Sequence, residues 1–134
     1  MRGPFPFDAQ STMRFARWVF LVSGIYGVLV LAPQYFLEQR LSRDYPPPVT
    51  HPELYYGFVG CALAFQVLFL AIAADPVRLR PAMPAAVVEK VSFAIAVGVL
   101  YAQGRVNSVT VGFASVDALW AVLFTVAYFR TRDR

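Results

Sequence analysis

The sequence predicts an all-α integral membrane protein: one four-helix bundle spanning residues 1–134, with both termini cytoplasmic. Three observations carry this expectation. The 134 residues are 58% hydrophobic and only 15% charged, with positive mean hydropathy, which is too apolar for a soluble domain of this size. Four apolar stretches each approach the ~20 residues needed to cross a hydrocarbon core about 30 Å thick. Arginine is distributed unequally between the connections that would lie on opposite sides.

The predicted helices cover residues 14–37, 53–74, 85–104 and 109–129. Before the first, Met1 to Thr12 combines Gly3, Pro4 and Pro6 with small polar residues and is expected to be irregular or to lie on the membrane surface. The first helix follows Arg14 and Arg17. Its apolar run exceeds the roughly 7–15 residues of a signal peptide and no Ala-x-Ala site precedes Pro33, so it reads as a retained helix. Ser23, Gly24 and Gly27 permit close approach of a neighbour, and Pro33 should kink the far end.

The connection Glu38 to Pro52 contains Pro46, Pro47 and Pro48, expected as a stiff polyproline II cap over the bundle mouth. Thr50 then reads as the cap of the second helix, with Pro52 in its first turn and Glu53 at the reciprocal capping position. That helix carries Gly57 and Cys61, Gly60 and Ala64, each pair four apart, with Gln66 near its centre; Asp75 and Pro76 stop it. In the third helix Ala94, Gly98 and Ala102 form the expected packing seam. Its purely apolar part, Val91 to Ala102, is too short to span, so Glu89 and Lys90 are drawn in. Lys90 is expected to snorkel to the interface. Because adjacent side chains diverge by about 100°, Glu89 is expected to pair structurally with Arg17, or with Arg130, instead of Lys90.

The fourth stretch gives the strongest functional signal. Ala118 to Phe129 cannot span alone, so the helix must begin near Val109 and carry Asp117 with it. A carboxyl group at that depth costs roughly 2.5–3.5 kcal/mol on insertion scales, so it should face sister helices. Asp117, Ala121, Phe124 and Tyr128 share one face. Tyr35, Glu38, Tyr55, Tyr56, Tyr101, Gln103 and Arg105 fall in the same half and suggest one polar, aromatic chamber. Two readings follow. Asp117 with Tyr101, Gln66, Trp120, Tyr35 and Tyr56 could bind an amine, a hydroxyl or a proton. Alternatively, Asp117 could accept an interhelical hydrogen bond from Tyr101, Gln66 or Ser23, worth about 0.6 kcal/mol.

Four crossings put both termini on one side. That side, with the 75–84 loop, holds Arg2, Arg14, Arg17, Arg78, Arg80, Arg130, Arg132 and Arg134, against Arg40, Arg43 and Arg105 opposite. The net charge of +4 is thus a topology and anionic-lipid signal, and nucleic acid is not an expected partner. Cys61 alone supports no disulfide framework or thiolate metal site, and His51 with Asp44, Glu38 and Glu53 matches no ligand spacing. The chain lacks a Gly-x-Ser-x-Gly, a phosphate-binding loop, a dinucleotide fingerprint and a Cys-x-x-Cys. No cofactor is indicated, and Trp18 and Trp120 read as interfacial or packing residues.

The ending Asp117-x-x-Trp120-x-Val122-Leu123-Phe124-x-Val126-Ala127-Tyr128, on a chain of four short crossings with a loop after the first, resembles the DoxX-like small bacterial membrane proteins. Phe58-x-x-Cys61-x-Leu63-x-Phe65-Gln66-x-x-Phe69-x-x-Ile72-Ala73, after a proline-bearing loop, is similar to the emopamil-binding and sigma-2 receptor (EXPERA) family. The second resemblance implies a bundle whose chamber binds sterol-like amphiphiles through acidic residues. At the position of that family's helix 2 acid this chain has Ala62, so sterol isomerase chemistry is not implied.

The expected function is a non-enzymatic protein of a bacterial inner membrane, binding a lipophilic or quinone-like small molecule near Asp117. The alternatives are an accessory subunit of a larger membrane complex or a proton-coupled small transporter. The expected partners are the lipid bilayer, such a ligand, and a second copy of the chain or a larger complex.

Overall fold

The computed structural model describes residues 6–132, with side chains from Ser11 onward. Five α-helices run in order, α1 (Pro6–Leu31), α2 (Glu38–Asp44), α3 (Pro52–Ala74), α4 (Met83–Ala102) and α5 (Ser108–Arg130), with no strand among the described residues. Four segments, of 26, 23, 23 and 23 residues, are long and apolar enough to cross a membrane. The predicted helices are all present, with shifted ends.

The largest shift is at the start. Residues 6–12, expected to be irregular or to lie on the membrane surface, are helical. The rest of that expectation, Met1–Phe5, lies outside the described residues, as does Arg134. At the other end of α1 the chain tightens into a 3₁₀ turn over Ala32–Phe36, where Pro33 withholds a backbone donor. The connection that follows is not an all-extended cap, because seven residues before the prolines form α2, supported by an Arg40–Asp44 contact of 3.6 Å one turn apart. The chain bends over residues 45–47, and the Val49 amide donates to Ser42 Oγ at 3.0 Å, folding the segment back on α2. Thr50 does not cap α3. His51 occupies that position without a side-chain bond, and Pro52 opens the helix.

The α4–α5 hairpin closes as its sequence dictates. Gly104 adopts φ 70°, a left-handed conformation cheap only for glycine, and Arg105 N–H donates to the Leu100 carbonyl at 2.8 Å across the helix end. Asn107 Oδ1 then accepts from Thr110 N–H at 2.9 Å and caps α5. Asn107→Ala should therefore cost about 1 kcal/mol, read as a lower unfolding midpoint in detergent.

Helix α1 packs along α3, α4 along α5, and α1 against α5, while α3 and α4 touch only sparsely. The end of the bundle holding the α1 start, α3 end, α4 start and α5 end is solid. There Ala16, Val19, Phe20, Phe69, Ile72, Ala73, Met83, Ala86, Phe124 and Ala127 form one buried cluster. Arg80 clamps it, donating from Nε to the Tyr128 carbonyl at 3.1 Å with its guanidinium 3.9 Å from that ring's centre. The expected small-residue seam of α1 is real: Ser23, Gly24 and Gly27 are buried against α3. A methyl on Gly27 would run into the amide end of Gln66 and approach its Cγ at 2.7 Å. Gly27→Ala is therefore expected to destabilise by about 1–3 kcal/mol, and Gln66→Ala in the same chain to recover most of that, by thermal unfolding in detergent.

The other expected seams face outward. A methyl on Gly57 or Gly98 would meet no atom within 4 Å, and Cys61, Ala64 and Ala102 are exposed. Helix α4 instead buries Met83, Ala86, Lys90 and Val97. These positions are spaced three, four and seven residues, which keeps them on one helical face, so the inward stripe of α4 includes its lysine.

Candidate functional site

Because α3 and α4 stay apart in the half beyond the solid core, a cavity of about 460 Å³ opens between them. Its walls come from all four long helices, including Tyr26 and Gly27 of α1, Phe58, Cys61, Phe65 and Gln66 of α3, Glu89, Lys90 and Phe93 of α4, and Phe113 and Asp117 of α5. Phe58 and Phe93 approach across the α3–α4 gap with ring centres 6.3 Å apart. Most of the lining is apolar, and the polar exceptions converge.

Lys90 is the centre of that convergence. It is 4% exposed, and its Nζ donates to Asp117 Oδ1 at 3.4 Å. It also lies 3.5 Å from Glu89 Oε2 and 5.4 Å from the centre of the Phe69 ring. The Glu89 contact is close enough for charge pairing, but Oε2 has no hydrogen-bond partner. The carboxylates of Glu89 and Asp117 are each 16% exposed. With all three ionised, the cluster carries one more negative than positive charge.

The depth follows from helix geometry. Lys90 lies twelve residues before the end of α4 and Asp117 nine residues after the start of α5, or roughly 18 and 14 Å along helices rising 1.5 Å per residue. Both are therefore near mid-span. Each is the polar member of an apolar stripe, Asp117 falling between buried Ala114 and buried Ala121 and Phe124.

Several expectations are corrected here. Lys90 does not snorkel; its place on the inward stripe of α4 directs it at α5. Glu89 faces Lys90 and not Arg17, because the Lys90 ammonium comes within 4 Å of both acids while Arg17 lies on the outside of the bundle. Arg17 lies with Arg14, Trp18 and Leu70 along an outer groove between α1 and α3. Asp117 takes its bond from Lys90, not from Tyr101, Gln66 or Ser23. Of the six expected binding residues, Asp117 and Gln66 line the cavity. Gln66 is 1% exposed, its amide nitrogen donating to the Ala62 carbonyl at 2.9 Å and its Oε1 unpartnered.

The other four stand elsewhere. Tyr35 stacks on Tyr56 at 5.9 Å, and Tyr56 O–H donates to Glu38 at 2.7 Å, while Tyr55 O–H donates to the Gln34 carbonyl at 2.7 Å. These contacts tie the 3₁₀ turn and α2 to the first turns of α3. Tyr101 is 54% exposed beside the α4–α5 turn, where Arg105 bonds Gln103 at 3.2 Å. Trp120 packs near Tyr26 and Phe124 with its indole N–H buried and unpartnered. The expected single chamber is thus two polar clusters at the surface and one charged cluster inside. His51 meets only Glu53, at 3.7 Å, and no group of three metal-binding side chains forms among the described residues. Comparison with protein-family models, curated proteins and solved structures finds no match to this chain.

Proposed function

We propose that the chain crosses a bacterial inner membrane four times with both termini cytoplasmic, and that it holds a small lipophilic molecule in the cavity between α3 and α4. The observation that carries the binding reading is a 460 Å³ space with aromatic walls onto which Gln66, Glu89, Lys90 and Asp117 converge. Apolar walls with a few convergent polar groups are the usual make-up of a small-molecule site. Ionisable groups at membrane depth mark such sites more often than they serve as adhesive. The DoxX-like resemblance belongs to this proposal and rests on the ending Asp117 to Tyr128.

Cys61 provides the test. It is the only cysteine, it is exposed, and it lines the cavity. Gentle extraction followed by mass spectrometry should release a lipophilic compound in stoichiometric amount. Restoring that compound should slow maleimide labelling of Cys61. Labelling indifferent to every co-extracted compound would reject the binding reading.

A second reading, an accessory subunit or self-associating protein, is favoured by the outward small residues. Gly57 and Ala64 on α3, and Gly98 and Ala102 on α4, leave open faces suited to close helix approach. Cross-linking in native membranes, with Gly98→Leu as the disrupting variant, tests it.

A further inference from the structure

Lys90 is the only lysine of the chain; its eleven companions in positive charge are all arginines. A permanent buried ion pair is best made by arginine, whose planar guanidinium matches a carboxylate and keeps its proton. Lysine differs in one respect relevant here: an ammonium can surrender a proton and expose a nucleophilic lone pair. The chain therefore places its single amine side chain at the one basic position that, among the described residues, is buried and faces an apolar cavity. Proton acceptors are in place, with Asp117 Oδ1 at 3.4 Å and Glu89 Oε2 at 3.5 Å.

Resting on the reading that the cavity holds a lipophilic molecule, we propose that this molecule is a lipophilic aldehyde carried as an imine on Lys90 Nζ. The ammonium passes a proton to Asp117. The freed lone pair attacks the carbonyl carbon, forming the C–N bond while the carbonyl π pair moves to oxygen, and proton transfer from nitrogen to oxygen gives a neutral carbinolamine. The proton held on Asp117 then returns to the hydroxyl, which leaves as water as the nitrogen lone pair forms C=N. One aldehyde is consumed and one water released, no electrons are exchanged with any other species, and the iminium carries the charge the ammonium had. Two carboxylates suit this sequence: Asp117 carries the proton in transit, and Glu89 stays ionised beside the ammonium at the start and the iminium at the end. Phe58, Phe65, Phe93 and Phe113 supply the wall for the aldehyde's apolar body, and their apolar surface keeps bulk water from hydrolysing the product.

The test uses 2-naphthaldehyde with cyanoborohydride on the whole protein in phosphatidylcholine nanodiscs, followed by peptide mass spectrometry. The expected result is a saturable reduced adduct on Lys90, formed about tenfold or more faster than on added Nα-acetyl-lysine amide, since the cavity holds the reactants together. Lys90→Arg should give no such adduct. Asp117→Asn should slow the adduct by about 100-fold or more, the usual worth of a placed proton acceptor. Should that variant lose its fold, Glu89→Gln, which keeps the Lys90–Asp117 pair, serves instead with a smaller slowing in the same direction. An adduct on Lys90 no faster than on Nα-acetyl-lysine amide, or equally fast after unfolding in dodecyl sulfate, overturns the proposal. Equilibrium dialysis of the unreactive 2-naphthalenemethanol separates the two failures. If the alcohol binds saturably while Lys90 stays unmodified, the imine falls and the cavity reading stands; if neither is taken up, both fall.

Discussion

Lys90→Met is expected to lower stability by about 3–5 kcal/mol, the cost of breaking a buried ion pair by removing one partner. The side chain is 4% exposed and is the only cation within 4 Å of either Asp117 or Glu89 among the described residues. Without it, two carboxylates remain in an apolar setting with no positive charge. Methionine fills nearly the same volume, so cavity formation contributes little and the loss is electrostatic. The control is the triple variant Lys90→Met, Glu89→Gln, Asp117→Leu, in which no charge remains to be compensated. Replacing a buried ionic cluster with apolar groups of similar size is often neutral or stabilising, so the triple variant should unfold near the midpoint of the natural protein. Dodecyl sulfate titration followed by circular dichroism measures both. If Lys90→Met unfolds like the natural chain, the two acids are not held against an ammonium, and the site as described is wrong.

The structure retains the four long helices and the inward position of Asp117, and both were legible because they rest on length. An apolar run too short to span must recruit its polar neighbour, and the bundle leaves that neighbour nowhere apolar to point except inward. Gln66 and the Ser23–Gly24–Gly27 seam were legible for a similar reason, being the polar and small positions of otherwise bulky apolar helices. Which partner Asp117 meets was not legible, because it depends on how α4 is rotated about its axis. Two stripes compete on that helix. Ala94, Gly98 and Ala102 suit close helix approach, whereas Met83, Ala86, Lys90 and Val97 offer bulk, and the second is buried. The period of Met83, Ala86 and Lys90 was present in the sequence as a signal, but a lysine in that stripe argues against burial until an acid is known to face it. The α2 helix was obscured by Pro46–Pro48, whose effect stops at the preceding residues. Tyr101 and Tyr35 illustrate the opposite error: shared depth in a bundle does not place side chains on the same side of it.

Phe124→Ala should have a comparable effect, about 3–5 kcal/mol, by creating a void that its neighbours cannot fill. Phe124 is fully buried, stacked on Phe20 with ring centres 4.3 Å apart and planes 10° from parallel, and edge-on to Phe69 at 4.9 Å. Those two contacts join α5 to α1 and to α3. Because α3 and α4 barely touch, the α4–α5 hairpin is held to the α1–α3 pair largely through this cluster. The effect should reach the charged site as well, since the Phe69 ring that Phe124 supports is also the one facing Lys90 Nζ at 5.4 Å. Loosening that ring admits water beside the Lys90–Asp117 pair. Trp120, whose ring centre is 6.3 Å from that of Phe124, reports the change, and its fluorescence should shift to longer wavelength in the folded variant. Leu119→Ala is the matching control, because that side chain is exposed on the outer face of α5 and its truncation should change neither the unfolding midpoint nor the emission. If Phe124→Ala were as stable as Leu119→Ala, the hairpin would have to be anchored by contacts other than those of Phe20, Phe69 and Phe124.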